Sequence, residues 1–207
     1  MIGPFARRAA SAFGTAIAAA TLATAGVQAA APSPSPGEMA LGDPRAAVTV
    51  VEYGSVGCPH CAEWANEVFP AFRRKYVDTG KARFVFREML AGNGALAAAG
   101  FLTARCAAPD KYFQVIDDVF AQQAEISRVG VDALAKIAEH AGVDHQRFVT
   151  CLEDKAALKA LADRTQADAK AHHVEFTPTF FVDDKRLDGD NTLETLEAAI
   201  ARARAGH

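Results

Sequence analysis

Two cysteines separated by two residues, Cys58 and Cys61, follow a run of apolar and β-branched residues. That run, 46–53, reads AAVTVVEY, and its nearly continuous apolar character is typical of a strand buried on both faces. After the segment GSVG at 54–57, apolar residues recur at spacings of three and four, which indicates a helix that begins at the cysteines. Pro59 fits its first turn, where the missing N–H has no cost. The cysteine pair is therefore predicted at a strand-to-helix turn.

The rest of the chain adds a long helical region and a second part of the sheet. A strand is predicted at 82–88, which completes a strand–helix–strand unit. From about 94 to 173 the apolar residues recur at helical spacing. Further strands are predicted at 179–182 and 185–187, and a helix over 192–203. The pattern predicts an α/β fold whose small sheet framework is split by an inserted helical domain.

The N-terminal segment, 1–29, has the layout of a secretory signal peptide. Arg7 and Arg8 precede a run rich in alanine and threonine, and Val27-Gln28-Ala29 is a small-x-small cleavage pattern. The run is too short and too weakly apolar for a membrane-spanning helix. We therefore predict export through a Sec-type signal peptide and a location in the periplasm.

A segment rich in proline and serine follows this signal, and it predicts a flexible linker over 30–43 and one folded domain over 44–204. Cleavage after Ala29 would leave 20 basic and 25 acidic residues, a net charge of −5. The sequence has no basic stripe interleaved with aromatic residues, so nucleic acid is not expected as a partner. A mildly acidic exported protein is expected.

All four cysteines lie in the predicted mature chain. An even number of cysteines in an exported protein favours disulfides, because an oxidising compartment lets them persist. Cys106 and Cys151 lie 45 positions apart in different helical segments. We predict a structural disulfide between them. Two separate buried cysteines, packed as small apolar side chains, are the alternative.

The pair Cys58 and Cys61 has several possible uses. Attachment of haem requires a histidine directly after the second cysteine, and residue 62 is alanine. A structural zinc site needs further ligands, usually a second close pair, which the sequence lacks. A purely structural disulfide across so short a loop would constrain the unfolded chain only slightly. We therefore expect no metal and no other cofactor, and thiol–disulfide exchange fits the position best.

The predicted helix start divides the roles of the two cysteines. Cys58 lies at the helix N-terminus, where free N–H groups and the helix dipole favour a thiolate. Cys61 lies about one turn deeper and would resolve a mixed disulfide formed at Cys58. His60 can add a donor or a positive charge beside the Cys58 sulfur. An exposed loop histidine without a role is the alternative.

Two further positions are candidates for the same site. Glu52 lies near the end of an apolar strand, where a buried carboxylate needs a partner or a task, and it could accept and return the proton of Cys61. A Glu52 that faces water at the strand end is the alternative. Thr177-Pro178 precedes a predicted strand, and a cis bond there would expose the backbone of residue 177 to a bound polypeptide. A trans proline in an ordinary turn is the alternative.

Together, the sequences VVEYGSVGCPHC and FTPTFFV and the helical insertion between them resemble the DsbA-like thiol–disulfide oxidoreductases of the bacterial periplasm. The resemblance covers about 44–203. It implies a thioredoxin-like fold with an inserted helical domain, and an enzyme that donates a disulfide to exported proteins. It also implies the following roles: Cys58 as nucleophile, Cys61 as its partner in the redox disulfide, His60 as the residue that stabilises the thiolate, Glu52 as the buried acid and Pro178 as a cis-proline beside the substrate.

The resemblance further implies two kinds of partner: reduced or unfolded exported polypeptides, and a membrane protein of the DsbB type that reoxidises the cysteine pair. Thr177 is more similar to isomerase and reductase relatives, so a disulfide isomerase or reductase, served by a reducing partner, is the alternative. A redox-inert module that binds polypeptides is another. The segment before Pro44 is too short for a folded dimerisation domain, and we expect a monomer.

Overall fold

The computed structural model of the protein describes residues 1–3 and 37–206. Apart from its first three residues, the predicted signal peptide lies outside the described residues, as does the first part of the predicted linker. The strands of the described chain are β1 (Met39–Leu41), β2 (Thr49–Gly54), β3 (Arg83–Glu88), β4 (Thr179–Val182) and β5 (Lys185–Arg186). They form one sheet in the order β1-β3-β2-β4-β5. β2 and β3 run parallel, and the other neighbours run antiparallel.

A helical crossover joins the two parallel strands. It consists of α1 (Pro59–Glu67), α2 (Phe69–Phe72) and a π-helical turn (Arg73–Val77). The break between α1 and α2 lies next to Pro70, because proline cannot donate an intrahelical hydrogen bond and its ring clashes with the preceding turn. Trp64 of α1 packs against Phe180 of β4 with ring centroids 4.6 Å apart. The helix that carries the cysteines is thereby held against the sheet.

The inserted helices lie between β3 and β4 in the chain. They are α3 (Gly94–Cys106), a 3-10 turn (Pro109–Lys111), α4 (Tyr112–Ala121), α5 (Gln123–Val129), α6 (Val131–His140), α7 (His145–Glu153) and α8 (Lys155–His172). Several begin at polar caps, since the side chains of Asn93, Asp144 and Asp154 accept hydrogen bonds from the first turns of α3, α7 and α8. The last helix, α9 (Leu193–Ala205), follows β5 and buries Leu196 and Ile200.

A buried carboxylate at the end of β3 connects the sheet to the insertion. Glu88 Oε1 accepts hydrogen bonds from Arg105 of α3 at 2.6 Å and from the Tyr112 hydroxyl of α4 at 2.9 Å. Arg164 of α8 donates to Glu88 Oε2 at 2.6 Å. A buried charge is tolerated when it is paired and hydrogen-bonded. Three inserted helices therefore share one anchor point on the sheet.

The predicted linker extends too far along the chain, and its described end is a correction to the sequence analysis. Met39–Leu41 forms β1 and pairs antiparallel with β3, with Met39 opposite Phe86. Glu38 forms ion pairs with Arg83 and with Arg87. The packed domain therefore includes residues before 44. A three-residue strand is too short for a periodic signal, and only its pairing with a distant strand defines it.

The sheet is covered on both faces, and this places Glu52 on the side of the helices that carry the site. Val50 belongs to the main core with Trp64, whereas Val51 and Tyr53 belong to a second, smaller cluster. Side chains alternate between the faces of a strand, so Glu52 shares the face of Val50.

Across the residues that the structure describes, no helix combines the length and the apolar character that a membrane crossing requires.

Candidate active site

The turn after β2 is held in place by a serine. Ser55 Oγ donates to the carbonyl of Ala91 at 2.8 Å and accepts from the Gly57 N–H at 3.2 Å. The Cys58 N–H donates to the Ser55 carbonyl at 3.0 Å. Ser55 is fully buried. These bonds join the loop that precedes the cysteines to the segment that follows β3.

Two glycines allow the same two segments to approach each other closely. A Cβ atom on Gly57 would lie 2.3 Å from the Asn93 carbonyl oxygen. A Cβ atom on Gly92, whose φ is +68°, would lie 2.3 Å from the Gly57 carbonyl oxygen. No side chain tolerates such distances to backbone atoms, so the approach requires glycine at both positions.

Cys58 is the N-cap of α1, with extended backbone dihedrals, and its side chain is largely buried. Its thiol donates to the Thr177 carbonyl at 3.3 Å. A hydrogen bond from the Cys61 side chain is the main reason why the pKa of Cys58 falls to about 5. Burial opposes this change, and the Thr177 side chain and the N–H groups of Cys61 and His60 add to it. Cys58 therefore ionises readily at the N-terminus of a helix.

Cys61 has the opposite character. It is fully buried, and its sulfur accepts a hydrogen bond from the Ser55 N–H at 3.4 Å. Its hydrogen bond to Cys58 is the main reason why the pKa of Cys61 lies far above its ordinary value; burial and the charge of Glu52 raise it further. Both cysteines are free in the structure. In the reduced pair, Cys58 therefore favours the thiolate form and Cys61 favours the protonated thiol.

Glu52 lies in β2 beneath the cysteine pair and is 2 % exposed. Burial, and secondly the negative charge of Cys58, raise the pKa of Glu52 well above its ordinary value. Its Oε1 has no hydrogen-bond partner among the described residues. A Cβ atom on Gly54 would lie 2.6 Å from this oxygen, so glycine leaves the space that the carboxyl group occupies. The site thus contains a buried acid that favours its protonated form.

The segment before β4 closes the site from the other side. The Thr177–Pro178 bond is cis. Thr179 Oγ1 donates to the Phe176 carbonyl at 2.7 Å, and Asn191 Nδ2 donates to the Pro178 carbonyl at 3.4 Å. Because Thr179 pairs with Tyr53 of β2, the two ends of the site belong to neighbouring strands. Thr177 lies two residues before β4, and its carbonyl is the group that accepts the hydrogen bond from the Cys58 thiol.

A family model described as Thioredoxin matches residues 34–202. The chain belongs to the thioredoxin family. Among solved structures, alpha-DsbA1 of Wolbachia pipientis is similar with a TM-score of 0.76 and 24% identity, over 84% of this chain and 94% of that chain. BdbD of Bacillus subtilis gives a TM-score of 0.72 at 23% identity, over 86% and 99%. The predicted α/β, thioredoxin-like fold with inserted helices is confirmed.

A curated relative from Rickettsia bellii (strain RML369-C) bears the name "Putative protein-disulfide oxidoreductase". It is 31% identical over 169 residues, which cover 80% of this chain and 64% of that protein. This thioredoxin-family chain therefore spans less than two thirds of the relative's length.

His60, the residue predicted to stabilise the Cys58 thiolate, lies two positions after Cys58 in the first turn of α1. Its side chain is 80% exposed, and Nδ1 lies 3.5 Å from a carboxylate oxygen of Glu63. The contribution of His60 to the lowered pKa of Cys58 comes from its backbone N–H. The physical reason is the helix start, where N–H groups point towards the N-cap while the side chains point outward.

The other two cysteines of this thioredoxin-family chain are joined to each other. Cys106 of α3 and Cys151 of α7 form a disulfide, with sulfur atoms 2.06 Å apart and Cα atoms 6.0 Å apart. The Arg147 guanidinium donates to the Cys106 carbonyl at 2.9 Å and adds a second connection between the two helices. This disulfide lies within the helical insertion.

Two residues at the site were not found by the sequence analysis. Gln123 Nε2 donates to the carbonyls of Val56 and Cys58 at 2.8 and 3.0 Å. No local pattern distinguishes this glutamine, since its partners lie more than 60 positions earlier in the chain. Phe176 is 61% exposed, and its ring lies beneath Arg186, 5.0 Å from the guanidinium carbon. An apolar residue next to the Thr-Pro pair was a signal that could have been used.

Within residues 1–3 and 37–206, no group of three or more His, Cys, Asp or Glu side chains could hold a metal ion. The groups gathered at the site are two thiols, one carboxyl group and backbone amides. These groups suit proton transfer and thiol exchange.

Proposed function

We propose that this chain is a thiol–disulfide oxidoreductase of the DsbA type, which transfers a Cys58–Cys61 disulfide to reduced or partly unfolded exported polypeptides. One observation carries the proposal: Cys58, with a pKa of about 5, is paired with a buried Cys61 whose pKa is raised. A thiolate that is stable at neutral pH favours the reduced enzyme and makes its disulfide a strong oxidant. The name of the Rickettsia relative supports thiol–disulfide exchange as the reaction, and the fold shared with DsbA structures is consistent with it.

The exchange takes place in two steps. A substrate thiolate attacks the Cys58 sulfur of the oxidised enzyme, a mixed disulfide forms, and Cys61 leaves with the electron pair of the broken S–S bond. A second substrate thiolate then attacks the substrate sulfur of the mixed disulfide and releases Cys58 as a thiolate. The substrate dithiol loses two electrons, and the enzyme disulfide gains them.

Glu52 and Thr177 assist these steps in the proposed mechanism. The departing Cys61 thiolate is buried and takes a proton, and Glu52 is the acid positioned to donate it. The raised pKa of Glu52 keeps that proton available. Thr177 and Pro178 form the substrate-binding segment, where the backbone of residue 177 pairs with an extended polypeptide. The low pKa of Cys58 makes it the better leaving group in the second step.

The proposed setting is the periplasm, and the proposed partners are exported polypeptides and a membrane protein that reoxidises the pair. Three features support this setting: the signal-peptide pattern of 1–29, the even number of cysteines and the disulfide between Cys106 and Cys151. A monomer is proposed for the working form.

The proposal is tested by two substrates in parallel. In the first assay, the oxidised enzyme is incubated with a reduced substrate protein that forms several disulfides. In the second assay, the reduced enzyme is incubated with the same substrate protein carrying scrambled disulfides. We expect rapid disulfide formation in the first assay and little unscrambling in the second. Efficient unscrambling with poor oxidation would instead indicate an isomerase, and inactivity in both assays would indicate a redox-inert binding module.

A further inference from the structure

We propose that Gln123 is a positioning residue for the reactive thiol, through which the helical insertion fixes the backbone of Cys58. The inference rests on the proposed thiol–disulfide exchange. Gln123 is the first residue of α5 and therefore belongs to the insertion. Cys58 belongs to the sheet-and-crossover part of the fold. A single side chain thus joins the two parts of the molecule at the residue that reacts.

The two hydrogen bonds from Gln123 Nε2 have a specific geometry. Both acceptors are backbone carbonyls, those of Val56 and Cys58, so the nitrogen of the amide must face them. The Cys58 carbonyl also accepts the first helical hydrogen bond, from the Ala62 N–H at 3.1 Å. A carbonyl oxygen has two lone pairs, so the two bonds are compatible. The amide therefore bridges two carbonyls on either side of Gly57.

The bridge spans Gly57, whose backbone is adaptable and needs to be held in one conformation. A glycine permits many backbone conformations, and it directly precedes the reactive cysteine. The N–H groups of His60 and Cys61 stabilise the Cys58 thiolate only when the Cys58 backbone points its sulfur towards them. Hydrogen bonds to a charged group depend strongly on distance and angle. Fixing the carbonyls on both sides of Gly57 holds the sulfur in this position.

The bridge needs a side chain with two N–H donors on one nitrogen and the length of glutamine. Methionine keeps this length and removes the donors without adding charge. Glutamate keeps the shape and places a carboxylate against two carbonyl oxygens. The neighbouring Gln122 is exposed and offers a matched control one position away. The variants Q123M and Q123E are therefore compared with Q122M and Q122E.

The test measures the rate of Cys58 alkylation by iodoacetamide against pH in the reduced full chain. The midpoint of this profile is the pKa of Cys58. We expect Q123M to raise the midpoint by about one pH unit, which corresponds to a tenfold smaller thiolate population at low pH. Q123E is expected to raise it further, because its charge also opposes the thiolate. The Gln122 controls are expected to leave it unchanged.

The outcomes separate this inference from the proposed function. A wild-type midpoint near the ordinary value of about 8.5 would contradict the proposed oxidase itself. A low wild-type midpoint that Q123M and Q123E leave unchanged would contradict only the positioning role. Circular dichroism of the oxidised variants reports folding. If Q123E does not fold, the alkylation midpoint of the uncharged variant Q123M tests the positioning role by itself.

Discussion

Cys58 and Cys61 are three positions apart and free, whereas Cys106 and Cys151 are 45 positions apart and joined in a disulfide. The first pair lies at the start of a helix, where the hydrogen bond between the two cysteines lowers the pKa of Cys58 and raises that of Cys61; N–H groups add to the first change and burial adds to the second. The second pair connects two helices of the insertion. The same functional group therefore has a lowered pKa at a helix start in one place and cross-links two helices in the other.

The largest effect is expected from removing the reactive member of the first pair. Cys58→Ala should reduce disulfide transfer to the uncatalysed rate, since no nucleophile or leaving group remains at the helix start. Removing the second pair, by Cys106→Ala with Cys151→Ala, should leave the transfer rate within about threefold of wild type, because that pair lies outside the proposed mechanism. Initial rates of oxidation of a reduced substrate protein measure both. Loss of transfer in the folded double variant would contradict the comparison.

The second pair should instead dominate stability. Its disulfide closes a loop of 45 residues, for which the chain-entropy argument gives about 4 kcal/mol, with measured values usually lower. We therefore expect the double alanine variant to lose about 2–4 kcal/mol of unfolding free energy. Urea denaturation followed by the fluorescence of Trp64 provides the measurement. The opposite behaviour is expected of the first pair, whose reduction should stabilise the protein.

Glu52→Gln tests the acid beneath the first pair. We expect substrate oxidation to slow by about 10-fold to 100-fold, because Cys61 loses its proton donor. The raised pKa of Glu52 means that its contribution to stability is lost as pH rises through the folded value. Glutamine cannot ionise, so the variant should be at least as stable as wild type at neutral pH. A matched substitution, Glu88→Gln, should destabilise the fold, because Arg105 and Arg164 lose a charged partner.

The pH dependence of stability sharpens the same comparison. The pKa of Cys58 is lowered to about 5 in the folded, reduced protein, so its thiolate contributes stability that is complete above the unfolded pKa and is lost as pH falls through 5. As the pH rises from about 5 to about 9, the free energy of unfolding of the reduced form should therefore increase relative to that of the oxidised form, by up to about 1.4 kcal/mol per pH unit. Glu52 is present in both forms, so its contribution to the pH dependence of stability largely cancels in the difference between them. Denaturation of each form across this range measures the difference, and a difference independent of pH would exclude the stabilised thiolate.

The smallest effect is expected at His60. Its side chain is exposed beside Glu63, and its backbone N–H is the group that contributes at Cys58. His60→Ser retains that N–H, so the midpoint of Cys58 alkylation should move by less than about half a pH unit. An increase of more than one unit would restore the role that the sequence analysis assigned to the imidazole ring.

Much of the sheet, and the position of Cys58 and Cys61 at a helix start, could be predicted because their signals are local. The strand before Cys58, the helix start at Pro59 and the strand after the Thr-Pro pair each depend on neighbouring residues. β1 could not be predicted, since three residues carry no period and its partner lies more than 40 positions away. The direction of the His60 ring could not be predicted either, because it depends on the path of the helix.

The sequence by itself determined where a closely spaced cysteine pair lies, which elements surround it and in what order, because spacing and periodicity are properties of adjacent residues. Only the tertiary structure decided which distant groups contact the pair. The Thr177 carbonyl reaches Cys58 across 119 positions, and the Gln123 amide reaches it across 65. The burial of Glu52 is likewise a product of packing between sheet and helix. Hydrogen bonds and burial act over a few ångströms, and only folding brings such distant residues within that range.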